Sequence, residues 1–314
     1  YLHNPETQLS FVDRQTFRNR LQLAFARLEE EVAAGRIECY GVALWEGLRR
    51  PPMSAGYVSL EIMLRLAAEV ADELGVARDR WVFPWSAATC NDVYFPVERP
   101  DLSRSSGIEV AARKALNAGR LTIDDIRWFD LYSCFPSAIE MTAEALDLDP
   151  LDDRGLTVTG GLPYHGGPGN NYVSHSIVEM VRRCRRDPTD VGLVTGLGWY
   201  STKHSVGLWS ATPPPTGWRL LDTAVEQAQI DSSRLGVAGV DEATGCATVD
   251  GYTVVYDRDG QPRWTPIIAH LSDGRRVVAR SDDPQIAEAM GGEMYVGKTV
   301  CLRNTGSFTG FELP

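Results

Sequence analysis

The stretch Ile126-Arg-Trp-Phe-Asp-Leu-Tyr-Ser-Cys-Phe-Pro-Ser137 decides how the chain folds. Its first seven residues read as a strand. Pro136, which has no backbone N–H, suits the first turn of a helix reaching Leu146. A strand that runs straight into a helix is the joint of an α/β fold. Downstream, the loop Gly160-Gly-Leu-Pro-Tyr-His-Gly-Gly-Pro-Gly169 leads through Asn170 and Asn171 into a helix with Val173, Ile177, Val181 and Cys184 on one face. Strand-like runs follow at 191–195 and 204–210. Upstream, a loop around 99–102 precedes a helix over about 107–119 bearing Ile108, Ala111, Ala112, Ala115 and Leu116.

Further outward the texture changes on both sides. Residues 16–35 set Phe17, Leu21, Phe25, Leu28 and Val32 on one helical face, closed by Gly35. A strand is expected over 37–44. A second helix begins at the N-cap residue Ser59, with Leu60, Met63, Leu64, Ala67, Ala71 and Leu74 toward the core until Gly75. With Tyr1-Leu2 as a strand end the order is β-α-β-α, the unit of a parallel barrel or open parallel sheet. On the other side, Thr212-Pro-Pro-Pro-Thr-Gly217 reads as a linker. After a short helix near 220–230, residues 245–313 alternate like strands separated by turns such as Asp257-Arg-Asp-Gly260. That tail is expected to be a small, mostly antiparallel β domain.

The 31 basic and 42 acidic side chains leave a net charge of −11, which disfavours nucleic acid or an anionic membrane as the main partner. No apolar run approaches the roughly 20 residues needed to span a bilayer. The six cysteines are scattered without a C-x-x-C, so neither a disulfide scaffold nor a zinc site is expected, and a cytoplasmic location follows as the default. The opening at Tyr1, with no initiator Met and no signal pattern, reads as the interior of a longer gene.

Two resemblances divide the chain. Tyr1-Leu-His-Asn-Pro-Glu6 and the run at 37–45 resemble two consecutive barrel strands of the aldo-keto reductases, which makes His3 the equivalent of that family's catalytic histidine. The family's tyrosine, lysine and aspartate would lie before Tyr1. Residues 1–71 are therefore expected to be a slice of a TIM-type barrel, with NADPH binding implied only if this fragment governs function. Residues 72–314 resemble the C-terminal part of a thiolase-like protein of the sterol-carrier-thiolase branch. The motifs are Asp130-Leu-Tyr-Ser-Cys-Phe-Pro-Ser137, the glycine loop through Tyr172, and Gly196-Leu-Gly-Trp-Tyr-Ser-Thr-Lys-His204. The division expected is 1–71, a thiolase-like half over 72–217 with a mixed sheet covered by helices, and a β-rich domain over 218–314.

The thiolase resemblance implies chemistry on a coenzyme A thioester, with no other cofactor required, through an acyl-cysteine and stabilised oxyanions. The family's nucleophile half has no counterpart here. Tyr132 takes the position that orders the oxyanion-hole water, Gly167 takes that of the histidine, and Thr195 or Gly196 that of the acid/base cysteine. Binding an acyl-CoA is thus expected rather than turning it over. A homodimer or a partner protein is implied by the family alone. The alternatives are a fragment of an NADPH-dependent reductase and an inactive chimeric or truncated product.

Substitute groups are weighed next. Cys134 stands at a strand-to-helix junction, where helix amides lower a thiol's pKa, and His165 precedes the glycine pair, so a Cys–His couple is one reading. The other leaves Cys134 a buried small hydrophobe and His165 bonded to its own backbone. Gly160, Gly161, Gly166 and Gly167 let backbone amides approach a ligand, and the helix start at Asn170 and Asn171 is placed to polarise a thioester carbonyl. The loop fits neither G-K-[S/T] nor G-x-G-x-x-G, so P-loop and dinucleotide readings fall. Lys203 and His204 either meet a phosphate or thioester oxygen or form a solvated strand edge. His175 is read as structural, and His3 alone as a strand-end histidine. No metal site is expected.

Overall fold

The computed structural model describes residues 2–37, 40–43, 51–54, 56–166 and 168–314. At the N-terminus, β1 (Leu2–His3) and β2 (Val42–Ala43) pair in parallel, with α1 (Arg14–Ala33) between them and α2 (Leu60–Glu73) after them. The β-α-β-α order is therefore present. Among the described residues no further strand joins this two-stranded sheet, so it does not extend into a barrel arc. The strand expected over 37–44 is described only as Val42–Ala43.

Helix α1 is capped by Asp13, whose carboxylate accepts from the Thr16 N–H, and Gly35 follows its end at φ +68°. It buries Phe17, Leu21 and Phe25 against Met63, Leu66 and Val70 of α2. Of the positions expected on the inner face of α2, Met63 is buried and Ala67 packs on the cluster; Leu66 and Val70 join them, while Leu74 is exposed. Ser59 does occupy the N-cap, but its side chain caps nothing.

The central sheet combines β3 (Phe83–Asn91), β4 (Ile126–Asp130), β5 (Val191–Gly198), β6 (Lys203–Ser210) and β7 (Arg219–Leu221) in the order β4-β5-β6-β3-β7. β4–β5 and β3–β7 are parallel, and β5–β6 and β6–β3 are antiparallel. The mixed sheet implied by the second resemblance is present. Strand alternation sends Phe129 and Leu193 to one face, against Ile108, Ala111, Ala112 and Ala115 of α3 (Ser106–Gly119). Trp128 and Val194 go to the other face, against Met180 and Cys184. β4 passes through residues 131–135 into α4 (Pro136–Ala145), with Pro136 in its first turn as expected. The second covering helix, α5 (Tyr172–Arg186), buries Tyr172, Ser176, Met180 and Cys184. Of the face expected for α5, Val173 and Ile177 pack at the margin, while Val181 lines a cleft of about 320 Å³ with Val32, Ile37, Arg80, Arg182 and Arg185.

The segment read as a linker is strapped down: the Trp85 indole N–H donates to the Thr212 carbonyl at 2.7 Å. Beyond it, β7 joins the central sheet and α6 (Ala224–Ser232) lays Ile230 on the same core, so both elements lie against the central sheet rather than the β-rich tail. The tail contains β8 (Gly245–Tyr252), β9 (Val255–Tyr256), β10 (Pro262–His270), β11 (Arg276–Ser281), α7 (Pro284–Gly292), β12 (Thr299–Asn304) and β13 (Thr309–Glu312). Its order β11-β13-β12-β8-β10 is closed by β10–β11, giving a five-stranded barrel of the OB type, antiparallel except at β11–β13. Val249, Ile267, Ala269, Val277, Val300 and Phe311 fill it, together with Met290 from α7.

Candidate functional site

The buried carboxylate of Asp130, the last residue of β4, organises the ground around the glycine loop. One oxygen accepts from the Thr157 and Thr159 hydroxyls and from the N–H groups of Val158 and Thr159, at 2.9–3.1 Å. The other accepts from the Tyr172 hydroxyl at 3.0 Å and the Ser176 hydroxyl at 2.8 Å. A single carboxylate thus ties β4 to the entry of the glycine loop and to the first turns of α5. The sequence signal for it is the acid that ends the strand-like run Ile126-Arg-Trp-Phe, and nothing local in that run shows the donors that reach it.

The next residues carry the predicted site. The Tyr132 N–H donates to Thr195 Oγ1 at 2.8 Å, and Thr195 is buried in β5. The Ser133 hydroxyl accepts from the Leu162 N–H at 2.9 Å. Gly161 sits at φ +99°, where a Cβ would lie 3.0 Å from the same hydroxyl, so the loop's close approach requires glycine there. The strand–helix junction, Thr195 and the glycine loop therefore meet in one lip. The Tyr132 ring packs edge-on against Tyr172, whose ring meets His165, and His165 in turn lies 4.8 Å from His175.

His165 Nδ1 contacts the Gly161 carbonyl at 3.2 Å, the backbone arrangement weighed above, and no hydrogen bond joins it to Cys134 among the described residues. Cys134 is half-buried and precedes the N-cap residue Phe135. Burial pushes its thiol pKa up, outweighing the Phe135 and Cys134 backbone amides that act the other way. The lowering expected from the helix terminus is thus outweighed by desolvation. Burial also raises Tyr132 and, with His165 beside it, lowers His175. Gly160 and Gly166 adopt φ +85° and +64°. Gly167 and the side chains of Asn170 and His3 lie outside the described residues, while Asn171 caps α5 without a side-chain hydrogen bond.

Lys203 and His204 separate to opposite faces of β6. Lys203 lies over the Trp199 ring at 5.4 Å. His204 is buried, its Nε2 lying 2.9 Å from Asp92, 3.0 Å from Ser105 and 3.2 Å from the Ser201 carbonyl. An anion-binding His204 is therefore corrected. Although serine, histidine and aspartate meet, one ring nitrogen faces both partners, whereas a catalytic relay uses opposite nitrogens. Ser105 caps α3 through the Ile108 N–H, and Asp92 accepts from the Gly107 N–H, so the group fastens the start of that helix. Nearby, the buried Arg99 donates to the carbonyls of Tyr200 and Ser201 and to Thr202 Oγ1. It thereby holds the β5–β6 turn, in which Trp199 and Ser201 adopt positive φ. Among the described residues no group of three or more His, Cys, Asp or Glu is placed to hold a metal ion, and no helix is long and apolar enough to cross a membrane.

Residues 227–307 match the thiolase-like protein type 1 additional C-terminal domain. The fold is thiolase-like. Among solved structures the chain is similar to a monomeric SCP2-thiolase like protein type 1 from Mycobacterium smegmatis, with 32% identity and a TM-score of 0.72. That likeness covers 79% of this chain and 54% of the other, so the chain spans about half the length of that protein. No curated protein matches. Neither match speaks for the aldo-keto reductase likeness of residues 1–71.

Proposed function

We propose that the chain is an acyl-CoA-binding protein of the thiolase superfamily whose own residues do not turn the thioester over. The carrying observation is the lip formed by Tyr132–Cys134, Thr195 and the Gly161 loop, built like a ligand wall but holding a thiol whose pKa is raised rather than lowered. Acyl transfer through an acyl-cysteine needs a thiolate and a base within hydrogen-bond reach. Here His165 is turned to the Gly161 carbonyl, and the family's histidine position is Gly167. Backbone amides of a glycine loop suit a thioester oxygen or a phosphate. The location in keeping with this reading is the cytoplasm. The monomeric M. smegmatis relative favours a monomer over the homodimer implied by the wider family.

Calorimetry with acetyl-CoA and NADPH tests the reading, together with thiolysis of acetoacetyl-CoA. The expected results are weak binding of acetyl-CoA, none of NADPH and no thiolysis above background. NADPH binding more tightly than acetyl-CoA would overturn the proposal in favour of the reductase reading, for which the parallel β1–β2 pair with α1 between is the supporting observation. Thiolysis that disappears in Cys134→Ala and survives in Cys184→Ala would show that Cys134 is a nucleophile.

A further inference from the structure

The barrel carries two cysteines that the site does not use. Cys246 in β8 and Cys301 in β12 are register partners in an antiparallel pair, flanked by Ala247↔Val300 and Gly245↔Leu302. The inward positions of this ladder, Ala247, Val300 and Leu302, are buried, while both cysteines are free and exposed. Period-two alternation therefore places the two thiols side by side on the outer wall. Cys246 also stands close enough to act on the titration of the Cys301 thiol. Directly opposed residues of antiparallel strands have Cα atoms about 4.5–5.5 Å apart, inside the range of about 4.4–6.8 Å that a disulfide spans. Closing the bond thus asks for side-chain rotation, with the ladder left in place.

We propose that Cys246 and Cys301 form a peroxide-sensitive dithiol that closes to an intrachain disulfide across β8 and β12. The oxidant is a hydroperoxide. The thiolate of one cysteine attacks the O–O bond, giving a sulfenic acid and, with hydrogen peroxide, water. The second thiol then attacks the sulfenic sulfur, its proton leaving with the hydroxyl as a second water. In sum, two thiols and one hydrogen peroxide give one disulfide and two waters. Residual desolvation, the neighbouring Cys246 and Glu312 on β13 hold the Cys301 thiol above its ordinary range, and the register pairing lets either cysteine resolve a sulfenic acid on the other. The remaining described cysteines are poor competitors: Cys90 and Cys184 are buried and Cys134 is half-buried.

The test treats the full chain with hydrogen peroxide, blocks residual thiols and maps peptides by mass spectrometry without reduction. The expected product is a monomer carrying a peptide cross-linked between 246 and 301, with two hydrogens lost and restored by dithiothreitol. Cys301→Ser should abolish the cross-link and leave an oxidised Cys246, while Cys134→Ser should keep it. Circular dichroism of each variant establishes that the barrel is folded. Covalent dimers joined through 246 or 301, or sulfinic and sulfonic products at both positions with no cross-link in the folded wild-type chain, would overturn the proposal.

Discussion

The Tyr132 N–H reaches across from the end of β4 to Thr195 Oγ1 on β5, 2.8 Å away, at the point where the two parallel strands part. The backbone ladder has stopped there, so a side chain takes over the pairing. Thr195→Val keeps the shape and removes the acceptor. An unpaired amide in a buried setting costs about 1–3 kcal/mol. Urea denaturation should show a loss of that size, with acetyl-CoA affinity reduced in parallel. An unchanged midpoint would mean that Tyr132 finds another partner.

Asp130 carries a larger burden because six donors converge on it. Asp130→Asn replaces one accepting oxygen by an NH2 group that faces donors whichever way the amide turns. The expected loss is about 3 kcal/mol or more, of the kind that follows disruption of a buried charged network. Protease cleavage should appear first within 157–166, where the loop is released. Thermal unfolding and limited proteolysis read the two effects separately.

How much of this was legible in the sequence depends on the range of the interaction. The α1 face was readable because Phe17, Leu21 and Phe25 recur at helical spacing and pack locally. The β4–α4 joint was readable because Pro136 punctuates it. Strand β3 was not: Phe83-Pro-Trp-Ser-Ala-Ala-Thr-Cys-Asn carries a proline and few β-branched residues, yet it becomes a central strand because β6 and β7 pair with it. α7 was hidden by its shortness and its terminal glycines, and barrel closure by being a tertiary event. The Asp92–Ser105–His204 group joins residues 13 and 112 positions apart, and no local pattern announces it.

That group gives a pH dependence. Burial alone would raise the Asp92 carboxyl, but hydrogen bonds from His204, Ser105 and the Gly107 N–H outweigh it and hold the pKa below the ordinary value. A folded pKa below the unfolded one stabilises the protein above the unfolded value, about 3.9, and that stabilisation fades as pH falls through the folded value. Between pH 6 and pH 3 the wild-type chain should lose more stability than Asp92→Asn, which starts lower and lacks this contribution. Equal slopes from chemical denaturation at each pH would remove Asp92 from the account.

Cys134 supplies a chemical check on the proposed silence. In a Cys246→Ser, Cys301→Ser background its alkylation by iodoacetamide should rise with pH to a midpoint above the ordinary thiol value of about 8.5, because burial disfavours the thiolate. Cys184, pushed up to about 12, should stay unlabelled until the chain unfolds. A Cys134 midpoint below about 7 would mean that the helix amides win after all, and the thiol would regain its claim as a nucleophile.

The N-terminal unit differs from the central one in how its backbone is held. β1 and β2 are two residues each, paired only with one another among the described residues, so the unit's burial rests on α1 against α2 and the cluster from Phe17 to Val70. The central sheet has five strands with α3 and α5 on its faces, and its core residues Phe129, Leu131 and Leu193 are fully enclosed. Local opening follows the weaker set of contacts. Amide hydrogen exchange should therefore show 14–33 and 60–73 opening at lower free energy than 106–119 and 191–198, with the barrel strand 262–270 nearer the slower class. If α1 exchanges as slowly as α3, the cleft between its C-terminal end and Val178, Val181 and Arg182 of α5 is a tight joint, and the two units unfold as one.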